Sequence, residues 1–222
     1  MAEVIISTHG ATFADVVAIA RDSAKVVISK ESLAAMQKSR DHVEALAASD
    51  TPVYGISTGF GALANRHVST DLRTQLQRSL IRSHAAGVGA PVEVEVVRAL
   101  MALRLKTLAS GRTGVRPIVA ETMAAILNAG ITPLVREFGS LGCSGDLAPL
   151  AHCALVLMGE GEVVDSNGRI TPAADALKAA GITPVELREK EGLALINGTD
   201  GMLGMLIMAI SDLTMLCDSV DV

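Results

Sequence analysis

Apolar and polar positions alternate with two different rhythms along this chain, and the rhythm changes mark its elements. Short apolar runs at residues 3–7 and 25–29 predict two strands, with a helix over 13–21 between them. Ser29 is placed to cap a second helix running to about residue 48, where Asp50-Thr51-Pro52 makes a turn. Residues 53–64 contain three glycines and no steady period, which predicts a structured loop. Helical spacing returns over 71–84 until Gly87, Gly89 and Pro91 break it.

The middle of the chain is more uniformly apolar. Residues 92–110 predict a long helix, with Gly111 as its stop. Val92, Val96, Leu100, Leu103 and Thr107 share one face, and Val94, Val97, Met101, Leu105 and Leu108 another, so this helix should be buried between neighbours. Pro117 opens the next helix and Asn128-Ala129-Gly130 closes it. Asp146 is placed to cap a helix in which Leu147, Leu150, Ala154 and Met158 recur. A hairpin is expected over 162–170 around Asn167-Gly168, then a short helix at 172–180 and an extended run at 184–188. Residues 202–217 are apolar on most sides. Ser211 and Asp212 interrupt them, leaving too short a run to span a bilayer, so the centre of a helical bundle is expected. A partner subunit or further sequence should cover that surface.

Composition narrows the class. The 222 residues suit one large domain, and neither an internal repeat nor a long linker divides them. Half the residues are apolar, yet Trp is absent and Tyr54, Phe13, Phe60 and Phe138 are the only benzene rings, which favours closely packed helices over a β-sandwich. A net charge of −5 without a basic block argues against nucleic acid. Three cysteines without metal spacing, and no basic-then-apolar leader, suggest a reduced cytoplasmic protein. Cys153 and Cys217 read as core thiols on apolar helix faces.

One stretch, Gly139-Ser140-Leu141-Gly142-Cys143-Ser144-Gly145-Asp146-Leu147-Ala148, carries unusual chemistry. A serine between small residues with glycine after it lets the backbone fold onto itself, so that the Gly145 nitrogen can attack the carbonyl carbon of residue 143. Loss of one water on ring closure and another from Ser144 leaves a methylidene-imidazolone, an electrophile made from the main chain. Gly142 and Gly145 permit the strained approach, and the helix begun at Asp146 would place the ring near roughly half a positive charge. The rival use of Cys143, as a thiolate nucleophile with His84 or His152, lacks supporting spacing. His9, His42, His67 and His152 read as surface or satisfied core residues. Gly55, Gly59 and Gly61 resemble a phosphate cradle, but no Lys-Ser or Lys-Thr follows.

Four segments in register resemble the aromatic amino acid ammonia-lyases, and within them the branch acting on histidine. They are Val53-Tyr54-Gly55-Ile56-Ser57-Thr58-Gly59-Phe60-Gly61, Arg82-Ser83-His84-Ala85-Ala86-Gly87, Gly139 to Ala151, and Glu191-Gly192-Leu193-Ala194-Leu195-Ile196-Asn197-Gly198-Thr199. The family usually has alanine where Cys143 stands, and its members are about twice as long, so the chain resembles their N-terminal half. The resemblance implies a mainly α fold, an N-terminal globular region with minor β plus long central-bundle helices, as in the ammonia-lyase and fumarase-like superfamily. It implies an imidazolone made from Cys143, Ser144 and Gly145, with no pyridoxal phosphate, metal or nucleotide. Tyr54 is implied as the base for a β-proton, a task that a phenolate's basicity suits. Ser83 and His84 would face the substrate side chain, since a Ser-His pair accompanies histidine whereas Phe-Leu or His-Leu accompanies phenylalanine or tyrosine. A polar partner for an imidazole also penalises ligands lacking one. Asn197 would hold the prosthetic group or the bound amino acid. The arginine that the family uses for the carboxylate belongs to its other half, so Arg82, Arg112 and Arg116 are not nominated. The implied reaction turns L-histidine into trans-urocanate and ammonia in a cytoplasmic tetramer, with neither nucleic acid nor membrane as partner. The alternative is an inactive fragment or regulatory subunit that keeps the fold and binds partners.

Overall fold

The computed structural model describes residues 2–142, 145–165 and 167–221. The chain opens with β1 (Glu3–Ile6), α1 (Phe13–Ala20) and β2 (Lys25–Ile28), and the two strands pair in parallel across the helix with Val4 opposite Val26. Thr12 starts α1 with a reciprocal cap: its hydroxyl accepts the Asp15 amide, and the Asp15 carboxylate accepts the Thr12 amide. Helix α2 (Lys30–Ala47) begins as the pattern predicts, with the Ser29 hydroxyl accepting the Ser32 amide at 3.1 Å.

A loop with one short 3-10 turn (Gly61–Leu63) leads to α3 (Thr70–His84). The expected break that follows is instead a strand, β3 (Val88–Pro91), paired antiparallel with β5 (Arg136–Phe138). Its Val-Gly-Ala-Pro sequence has no alternation, and its partner lies far along the chain, so local pattern does not show it. Two central helices come next: α4 (Val94–Ala109), stopped by Gly111 at φ +73°, and α5 (Pro117–Asn128). As its double apolar face predicts, α4 is buried almost all round, with Val97, Met101, Leu105 and Leu108 in the main core.

Strand β4 (Thr132–Pro133) adds to the expected hairpin of β6 (Glu162–Val164) and β7 (Ile170–Pro172), giving a three-stranded sheet in the order β4-β6-β7. Between them stands α6 (Leu147–Leu157), and α7 (Ala173–Ala179) follows. Residues 184–188 join no sheet; the Val185 amide donates to the Leu157 carbonyl at 2.8 Å. The short α8 (Glu191–Ile196) and long α9 (Asp200–Val220) complete the chain. By length and hydropathy Glu191–Val220 is apolar enough to cross a membrane. Residues 197–199 divide it, however, and Gly201, Gly204, Ile207 and Met208 are buried. A Cβ at Gly204 would stand 3.2 Å from Ala99 Cβ and from the Leu100 nitrogen, so this glycine permits close approach to α4. Beyond Met208 the helix is exposed. Cys217 therefore lies on the surface rather than in the core; on this half of α9, Arg21 at the end of α1 bonds Ser211 and Asp212 but leaves Cys217 uncovered. Cys153 is a core thiol as expected, and burial pushes its pKa up to about 12.

Candidate active site

The site is assembled around α8 and the turn that precedes α6. Cys143 and Ser144 lie outside the described residues, but the residues flanking them are placed. Gly142 has φ +60° and Gly145 φ +94°, both in the left-handed region that glycine tolerates. The Gly145 amide donates to the Gly142 carbonyl at 2.8 Å, so the ends of the stretch are drawn together. The Asp146 amide donates to the Gly198 carbonyl at 2.7 Å, and a Cβ at Gly145 would press to 3.0 Å on that same oxygen. The turn thus rests directly on the residue next to Asn197.

Asp146 occupies the N-cap position of α6, as expected, but its carboxylate does not cap that helix. One oxygen accepts the Ser140 hydroxyl, and the other accepts the Met202 amide in the first turn of α9 at 3.0 Å. The fully buried carboxylate therefore ties two loops and caps a different helix. Ser140 also accepts the Gly142 amide at 3.1 Å, which extends the same network to the glycine turn.

Helix α8 is held by ionic groups at both ends. At its start Lys190 sits at φ +74°, a strained conformation for a non-glycine residue. Beside it the wholly buried Glu191 carboxylate accepts from Arg116 Nε and Nη2, both at 2.8 Å, and from the Arg188 amide at 2.7 Å. At its end Arg104 of α4 donates to the Ala194 and Asn197 carbonyls at 3.1 and 3.3 Å and pairs with Asp200. Burial raises the Asp200 carboxyl above its ordinary range despite the opposing pull of Arg104. Sequence reasoning missed this pair. The signal was present, since an arginine inside an apolar, buried helix requires acceptors.

The remaining candidates surround this frame. Asn197 is exposed at the C-terminal end of α8. The Tyr54 ring is half exposed and meets Phe60 edge-on at 6.1 Å, while the next residue, Gly55, lies against Leu193 of α8. At the end of α3, Ser83 Oγ and His84 Nδ1 lie 3.1 Å apart, and both reach the Leu80 carbonyl at 2.9 Å. A carbonyl only accepts, so Nδ1 carries a hydrogen, and in that tautomer the Nε2 lone pair is left for another partner. His152 accepts the Gly87 amide at 3.1 Å, and Gly87 in turn lies against Gly139. Burial, aided by Arg136, lowers the His152 pKa. His152 Nε2 is engaged by the Gly87 amide and so is not free to accept from a cysteine thiol, whereas His84 keeps Nε2 available. His9, His42 and His67 are exposed. Arg82 and Arg78 both bind Glu160, and Arg116 binds Glu191, so three cations near the site are already paired. Among the described residues, no hydrogen bond or ring contact links the Tyr54 or His84 side chain directly to Gly145.

Comparison with known proteins resolves the ancestry of this arrangement. A model of the aromatic amino acid lyase family matches residues 11–222. The chain belongs to that family. A histidine ammonia-lyase of Streptomyces coelicolor is 64% identical over all 222 residues, which correspond to 43% of its length. A MIO-dependent tyrosine 2,3-aminomutase of Streptomyces globisporus is 49% identical over 84% of this chain and 34% of its own. The crystal structure of a histidine ammonia-lyase from Trypanosoma cruzi superposes with a TM-score of 0.87 at 34% identity, covering 94% of this chain and 40% of that one. This aromatic amino acid lyase chain thus spans less than half the length of the relatives it matches, and shares their mainly helical fold.

Proposed function

We propose that the chain forms part of a histidine ammonia-lyase, which converts L-histidine to trans-urocanate and ammonia through an imidazolone made from Cys143, Ser144 and Gly145. The observation that carries this reading is the pair of left-handed glycines flanking positions 143 and 144, with the Gly145–Asp146 peptide seated on Gly198. Those residues fit a self-made ring: Gly145 leaves its nitrogen unobstructed by a side chain, and the space where a Cβ would project is closed by the Gly198 carbonyl. Once formed, the group supplies an electrophilic carbon that draws electrons from the substrate. Helix α6, beginning at Leu147, adds the positive end of its dipole beside it.

The chain's own residues would do the rest. Tyr54 takes the β-proton from its exposed position on the glycine loop. His84, its Nδ1–H fixed on Leu80, offers Nε2 to the N–H of the substrate imidazole, and Ser83 steadies that tautomer. Asn197 orients the bound amino acid from the end of α8. The 64% identity to a histidine ammonia-lyase supports the substrate, and the exposed apolar half of α9 supports self-association, as a cytoplasmic tetramer by family resemblance.

Intact mass with peptide mapping tests the ring: a loss of two waters is expected within residues 143–145, and Ser144→Ala should abolish it together with urocanate formation. An unmodified Cys-Ser-Gly peptide from folded, active protein would sink the reading. Assays with phenylalanine and tyrosine test the substrate. Preference for phenylalanine would remove the role of His84, while β-tyrosine formation from tyrosine would favour an aminomutase.

A further inference from the structure

Arg104 stands out among the buried charges because its guanidinium joins the end of α8 to a buried carboxylate at the start of α9, whereas Arg98 bonds only main-chain carbonyls. It is 2% exposed, holds the last carbonyls of α8, and pairs with Asp200, the first residue of α9. Its Nε is buried without a hydrogen-bond partner, so the group is held by its two terminal nitrogens. Gly198 lies between the two helices, and any Cβ there would overlap both Arg104 Nη2 and the Asp200 carboxylate. The guanidinium therefore determines how far Gly198 can sink. The carbonyl of Gly198 in turn receives the Asp146 amide at 2.7 Å.

We propose that Arg104, braced by Asp200, is a positioning residue: it fixes the Gly198 carbonyl as the point against which the Gly145–Asp146 peptide is set for ring closure. The proposal rests on the reading of Cys143-Ser144-Gly145 given above. Gly145 supplies the attacking nitrogen, and that nitrogen is one residue from the anchored Asp146 amide. A shift of about 1 Å in a reacting group suffices to slow a reaction on the order of a hundredfold. Neither Arg104 nor Asp200 is required to touch the substrate.

The test uses Arg104→Met, Arg104→Lys and Asp200→Asn in the purified protein, with hydrogen exchange, intact mass and steady-state kinetics. In folded Arg104→Met the Asp146 amide should exchange about tenfold faster or more, while amides in α5 change by less than about twofold. The fraction of chains that have lost two waters should fall by about tenfold, and kcat per chain in the same proportion, with KM within about threefold. Arg104→Lys should restore part of each. If Arg104→Met does not fold, Asp200→Asn, which keeps the shape and removes the charge, should show the same pattern. Unchanged protection at Asp146 in either folded variant would overturn the proposal and leave the ring intact as a reading. An open tripeptide in the unsubstituted protein would overturn both, so the two failures can be told apart.

Discussion

Helices α4 and α9 are both long and apolar, yet they meet opposite fates. Neighbours cover α4 on nearly every side, so that even Arg98 and Arg104 are buried and must find acceptors. Arg98 donates to the Ile19, Ala20 and Leu127 carbonyls at the ends of α1 and α5. Only the first half of α9 is seated, through Gly201, Gly204, Ile207 and Met208. Leu213, Met215 and Leu216 are each about 60% exposed. Apolar composition signals that a surface is to be covered, but not what covers it. Polar residues in a buried helix say more, because each acceptor they need identifies a neighbour.

Substitutions can sharpen that contrast. Leu105→Ala, in the wholly buried part of α4, should destabilise the protein by about 2–5 kcal/mol through lost burial and a residual cavity; a denaturant midpoint within error of the unsubstituted chain would break the picture. Gly204→Leu on the seated half of α9 should cost about 1–3 kcal/mol by overpacking against Ala99 and the backbone of α4. It should also loosen the first turns of α9 in hydrogen exchange.

A smaller effect is expected from His152. Its pKa is depressed in the folded state, so below the ordinary value of about 6.5 the unfolded chain binds more protons. Its contribution is present in full above that pH and is lost as the pH falls toward the depressed value. His152→Gln should flatten the urea midpoint between pH 7.5 and 5.5; an equal drop in both proteins would remove His152 as the cause. Leu216→Ala should have the least effect, within about 0.5 kcal/mol while that face is bare. A loss of about 2 kcal/mol that varied with protein concentration would instead show the face to be covered in the assembly.

Much of the helical frame was legible because its signals are local. Ser29 before a helical run, Pro117 at a helix start and Gly111 past a helix end each state a boundary in their own chemistry. The β3–β5 pairing was not legible, since Val88 meets Phe138, fifty residues further along the chain, and neither segment alternates. Within the site, the glycines around 143 and 144 were readable as conformational requirements, and the backbone meets them. Asp146 was misread in its detail: its position fits a cap, but nothing local reveals that Met202 would compete for the carboxylate. The Arg104–Asp200 pair was missed for the same reason, because its two members are 96 residues apart.

The carboxylate of Asp146 has one more consequence, for the order of events during synthesis. Its partner amide at Met202 lies 56 residues later in the chain. At ribosomal speeds of about 5–20 residues per second, roughly 3–11 s pass after Asp146 is made before that partner exists. The nascent loop must spend those seconds without one of its fastenings, which it gains only when the start of α9 has been translated and docked.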